Sequence, residues 1–125
     1  MNKRLAQLEI LCGISWFLSD SAWLFQIHWL CYLTALSAVA SAFAIFAYIE
    51  EKPVVIFMNI ADTCWLMMNV FWSIGDLESF NMFILMAKVF VFCGVVCFLA
   101  AYSVSDHAAA MPLVLRRLRF WKQWQ

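Results

Sequence analysis

The sequence predicts an all-α polytopic integral membrane protein with four transmembrane helices and a basic amphipathic helix at the C-terminal end. Three observations carry that prediction. Of the 125 residues, 66% are hydrophobic and the mean hydropathy is +0.85, whereas soluble domains run at about 45–50% apolar. The apolar residues gather into four stretches, each close to the roughly 20 residues a bilayer-crossing helix needs. The lysines and arginines outside those stretches are confined to alternate connections.

The first stretch covers residues 8–27. The opening Met1-Asn2-Lys3-Arg4 resembles a secretory leader, but Trp16, Asp20 and Trp23 interrupt the apolar run and no A-x-A site follows, so a retained first span is expected. The second covers residues 29–49 and ends at Glu50-Glu51-Lys52-Pro53, where Pro53 suits the first turn of the next helix. Thr34, Ala38 and Ala42 recur every four residues, as do Ser37 and Ser41. Such rows let helix backbones approach closely, either inside the bundle or against another copy. The third stretch covers residues 54–74, a turn is expected at Gly75-Asp76-Leu77-Glu78-Ser79, and the fourth covers residues 80–101. Residues 1–105 form the expected transmembrane domain and residues 106–125 a cytoplasmic tail.

Seven basic residues set the orientation. Lys3, Arg4, Lys52, Arg116, Arg117, Arg119 and Lys122 all fall on one side of four spans, and the opposite loops contain none. The positive-inside rule then puts both termini in the cytoplasm of a bacterial-type inner or plasma membrane. In the tail, Pro112 fits a helix start, and Val114, Leu118 and Trp121 share a face with Arg116 and Arg119 turned away from it. Arg116, Arg117, Arg119, Trp121 and Lys122 are expected to meet the anionic inner leaflet.

One pattern occurs twice. Trp16, Asp20 and Trp23 read W-x-x-x-D-x-x-W, and Trp65, Asn69 and Trp72 read W-x-x-x-N-x-x-W. The spacing puts both indoles and the polar residue on one helical face. Each copy would open a helix pair, which suggests a 2+2 parallel repeat about an axis along the membrane normal. Independent helices with similar packing faces are the alternative.

Depth follows from the rise of 1.5 Å per residue. On that scale Asp20 and Asn69 lie about 10 Å below the outer end of their spans, and Lys88 about 12 Å into the fourth. Asp62 lies about 10 Å deeper than Asn69 on the same face of the third span. Charged side chains inside a bilayer are costly and mark functional sites by default. One reading joins Asp20, Asn69 and Lys88 in an intramembrane cluster within the bundle; the other lets Lys88 reach the headgroups on its long stem. Asp62 is placed to carry protons in coupled transport or to bond neighbouring helices together.

Other chemistry has little support. The five cysteines, Cys12, Cys31, Cys64, Cys93 and Cys97, form no C-x-x-C pair and read as reduced, packed thiols. No Gly-rich phosphate loop, H-E-x-x-H or nucleophile–base pair is present. No enzyme, cofactor, metal or nucleic-acid partner is expected. In size and span count the chain is similar to small multidrug exporters and fluoride channels, an architectural likeness that no residue carries. The expected function is a small-solute or ion transporter or channel subunit, lined by Asp20, Asn69, Lys88 and Asp62 with Trp16, Trp23, Trp65 and Trp72. The alternative is a non-transporting assembly, anchoring or sensing subunit that docks a partner. For the transporter a homo-oligomer is expected, because four helices enclose little volume; for the alternative a partner membrane protein is expected, docked on the polar face and basic tail.

Overall fold

A computed structural model describes residues 2–105. The expected amphipathic tail, with Arg116, Arg117, Arg119, Trp121 and Lys122, lies outside the described residues. Among the described residues four helices follow one another: α1 (Lys3–Leu24), α2 (His28–Ile45), α3 (Pro53–Leu77) and α4 (Asn81–Val104). The Asn2 side chain caps α1 by accepting from the Arg4 amide at 3.0 Å, satisfying one of the orphan donors of the first turn. Pro53 opens α3, where its missing N–H costs nothing.

Three of the helices, α2, α3 and α4, are long and apolar enough to cross a membrane. α1 has the length but not the apolarity, because Gln7, Glu9, Ser15, Ser19, Asp20 and Ser21 dilute it. The element boundaries also differ from expectation. α2 stops at Ile45, and the amides of Ala47 and Tyr48 turn back to Ala44 and Ile45 in a tight i to i+3 turn. α3 runs through Gly75 and Asp76 to Leu77 rather than turning at Gly75. Gly75 serves as a contact point there: a Cβ would lie 2.9 Å from the Ile84 side chain, so α3 and α4 approach closely at this point.

The two tight turns, α1 to α2 and α3 to α4, are built alike. Each helix ends in a Schellman motif, with Ile27 N–H on Ala22 O at 2.8 Å and Phe80 N–H on Gly75 O at 2.9 Å. Gln26 and Ser79 take the left-handed position, at φ 57° and 52°. The turns are 53 positions apart and the tryptophan motifs 49, a difference of about one helical turn. α3 therefore extends one turn further past its motif than α1 does.

Packing is concentrated within two hairpins. In the first, Ser15, Ser19 and Ala22 of α1 lie buried against Cys31, Thr34, Ala35, Ala38 and Ala42 of α2. The small-residue row of α2 is used inside the chain. Hydrogen bonds cross the interface from Ser15 Oγ to Ser37 Oγ at 2.8 Å, from Ser19 to Cys31 O at 3.3 Å, and from Cys12 to Ala38 O at 3.5 Å. In the second hairpin, Ala61 and Cys64 of α3 meet the Gly94 region of α4, where a Cβ would touch Cys64 at 3.5 Å. Phe71 stacks on Phe90 with ring centroids 5.5 Å apart.

The hairpins meet more sparsely, through α2 with α3 and α1 with α3. Leu66 makes the joint. It is 2% exposed and packs on Ala38 and Ala42 with Cys12, Trp16, Val39 and Val70 around it. Among the described residues α4 packs on α3 alone, and 11% of its apolar window is buried.

Two predictions follow from this packing. Leu66→Ala removes the joint and should cost about 2–5 kcal/mol, read as loss of the α1–α3 proximity at Trp23 and Trp72 while both hairpins persist. At the left-handed turn positions, Gln26→Val and Ser79→Val should each be less stable than the corresponding glycine variant by roughly 1–2 kcal/mol. Thermal or denaturant unfolding in detergent checks the order.

Candidate functional site

The faces of α1 and α3 that carry the two tryptophan motifs run side by side and leave two grooves between them. The groove nearer the tight turns has a volume of about 370 Å³ and is lined by Phe17, Asp20, Trp23, Asn69, Trp72 and Ser73, among others. Trp23 and Trp72 contact each other across its mouth, with ring centroids 5.7 Å apart and planes at 48°. The second groove, about 350 Å³, lies toward the Pro53 end and is lined by Glu9, Trp16, Asn59, Asp62, Thr63 and Trp65 together with apolar neighbours. Corresponding motif positions therefore lie at matching levels: Asp20 and Asn69 line one groove, Trp16 and Trp65 line the other, and Trp23 contacts Trp72.

The polar groups on these faces are held in ways suited to an apolar medium. Asn59, Thr63, Asn69 and Ser73 each donate to a carbonyl four residues back on α3, at 2.9, 2.8, 3.1 and 2.6 Å. Such back-bonding satisfies a donor without needing water. The Trp16 indole N–H is buried and makes no hydrogen bond of normal geometry, although the Asp20 carboxyl one turn on is near enough to feel it. Asp20 and Asp62 are both exposed at the seam rather than sealed within a core.

Lys88 does not join Asp20 within the chain. It is exposed on α4, which touches only α3, and it lines neither groove. Depth along the helix is common to Lys88 and Asn69, but the two point to different sides of the α3–α4 pair. The expected intramolecular cluster reduces to Asp20 and Asn69.

Two features were not singled out from the sequence. Glu9 lines the second groove; its spacing to Gly13, Trp16, Asp20 and Trp23 continues the same helical face, which is the signal that marks it. The other is a latch across the tight-turn end. Glu78 accepts from the Tyr32 hydroxyl and lies 3.3 Å from His28 Nδ1, and the Trp23 indole donates to Asp76 at 2.9 Å. These contacts tie the first hairpin to the end of α3. They involve residues 46 to 53 positions apart, which no local spacing reveals.

Among the described residues no group of His, Cys, Asp or Glu is arranged to hold a metal ion. No family model matches the chain, and no curated protein or solved structure is significantly similar to it.

The latch gives a pH prediction. The Tyr32 hydroxyl, and then His28, hold the Glu78 carboxyl below its ordinary value of 4.5. A carboxyl lowered on folding stabilises the folded state above the unfolded value, and that contribution disappears as pH falls through the lowered folded value. The latch should therefore be intact at neutral pH and open progressively below about pH 4.5. Trp23 fluorescence should report the opening, and Glu78→Gln should remove that acid transition.

Proposed function

We propose that the chain is a four-span membrane protein, with α1 as the fourth crossing helix, and that its α1–α3 seam lines a path for a small solute or ion in an oligomer. The observation that supports this reading is the pairing of the two motif faces into grooves. Asp20 and Asn69 line one, and Glu9, Asn59, Asp62 and Thr63 line the other. Polar residues at such depth are expensive in lipid unless they face a cavity, water or a partner. Grooves of several hundred Å³ beside carboxylates meet the first of these conditions. The acids favour a cation or a proton as the transported species. The basic residues Lys3, Arg4 and Lys52 on one side put both termini in the cytoplasm.

A second reading, an assembly or anchoring subunit, has its own support. Among the described residues α4 leaves most of its apolar surface uncovered, which offers a face to a partner helix.

Proton flux into proteoliposomes loaded with a pH-sensitive dye separates the two. Under the transport reading an imposed pH gradient collapses faster than in protein-free vesicles, and Asp62→Asn slows the collapse at least about tenfold, the scale expected for loss of an intramembrane proton carrier. Flux no greater than the protein-free rate in correctly folded wild type would leave the assembly reading. Flux that survives Asp62→Asn unchanged would remove Asp62 as the carrier.

A further inference from the structure

Lys88 belongs to an ordered stripe. Leu85, Lys88, Phe92, Val95, Leu99 and Tyr102 are spaced alternately by three and four residues along α4, and all six are exposed. That is the spacing of a helix-packing seam, with one charge at a seam position. Among the described residues nothing covers Leu85, Lys88, Phe92, Val95 or Leu99, because α4 reaches only α3 there and meets it through the Ala87, Gly94 and Ala101 side. α1 carries a matching stripe: Ile10, Gly13, Phe17, Asp20 and Leu24, again spaced by three and four and again exposed.

The two stripes are complementary in order and in charge. Read inward from the tight-turn end, α4 presents Leu85, then Lys88, then Phe92, Val95 and Leu99. Read the same way, α1 presents Leu24, then Asp20, then Phe17, Gly13 and Ile10. Each has one apolar residue outside the charge and three apolar or small residues inside it. The levels agree as well. Asn69, which shares a groove with Asp20, lies about 12 Å from the end of α3, and Lys88 lies about 10 Å from the start of α4 across a short turn. Gly13 leaves room opposite Val95, since nothing lies within 4 Å of its Cβ position.

We propose that a second copy of this chain docks its α4 stripe along α1, inserting Lys88 into the groove at Asp20 and Asn69. A two-fold axis along the bilayer normal forms both contacts at once, Asp20 of each copy meeting Lys88 of the other. The ammonium and carboxylate leave the lipid together, which offsets the cost of holding either charge there. Phe92 and Val95 cover Phe17 and Gly13. The contact reaches the near edge of the second groove at Gly13, one of its lining residues. The inference rests on the membrane reading of the chain and not on transport.

Two sets of variants test it in full-length protein in membranes, with the five cysteines replaced by alanine. In the first, Phe17→Cys and Phe92→Cys sit on separately tagged copies, so native charges remain. Oxidation should give at least about tenfold more mixed dimer than Leu36→Cys, which is exposed on α2, the factor expected for interhelical contacts of this kind. In the second, one copy carries Asp20→Lys and the other Lys88→Asp. Neither variant should associate with itself, because each self-pair sets like charges together, whereas the mixture restores both pairs and should copurify as wild type does. Equal cross-linking at Leu36→Cys overturns the proposal. So does self-association of Asp20→Lys at the wild-type level, or a mixture that fails to associate when wild type does. No flux enters these readouts, so a dimer that conducts nothing refutes the transport reading alone. A conducting monomer refutes the dimer, and the oligomeric form of the transport reading with it, while leaving the path itself standing.

Discussion

The chain depends on how closely its helices are allowed to approach. Within each hairpin the contact is lined by small residues, and between the hairpins one side chain, Leu66, fills the space over Ala38 and Ala42. In lipid there is little hydrophobic gain from joining two apolar helices, so fit and interhelical hydrogen bonds decide association. The serine bridges between α1 and α2 and the Phe71 stack between α3 and α4 supply both within the hairpins. Leu66, the Trp23–Trp72 contact and the polar contacts at the tight-turn end are what join them, so the inter-hairpin contact is the sparsest of the three and the one most open to adjustment.

That sparse joint has a consequence for the polar residues. Because α1 and α3 are held apart rather than packed tightly, their motif faces leave grooves instead of a closed core. The tryptophans frame those grooves and the acids and amides line them. Tight packing would have forced Asp20 and Asp62 into unrelieved burial, and wide separation would have exposed both to lipid. The latch of Glu78 with Tyr32 and His28, and of Asp76 with Trp23, pins the tight-turn end of the same seam. The seam is therefore held at one end by polar contacts and toward its middle by Leu66.

Much of the helical layout was legible from periodicity and composition, because long apolar runs bounded by Pro53 and by polar turns leave few alternatives. The ends were less legible. Gly75 reads as a turn residue by type, yet it sits inside α3 because Ile84 packs where its side chain would be. α1 reads as a span by pattern, but its serines, Gln7 and Glu9 make it the least apolar of the four helices. For the candidate site, helical spacing gives depth and face but not which helices are neighbours. Asp20 and Asn69 share a groove because their helices touch. Lys88 lies at their level on a helix that never reaches α1, and only the tertiary arrangement shows it. The latch was invisible for the same reason, since its partners come together only when both turns do.

The central claim is that the α1–α3 seam is a polar, hydrated surface within a membrane protein and not a dry packing face. The most direct test is the reactivity of single cysteines at Asn59 and Thr63, beside Asp62, toward a membrane-impermeant maleimide in intact membranes, with native cysteines removed and Leu36→Cys as the lipid-facing reference. Labelling at the two seam positions should exceed that at Leu36 by at least about tenfold, because water-exposed thiols ionise and react where lipid-buried ones do not. Seam positions as unreactive as Leu36 in folded protein would contradict the account.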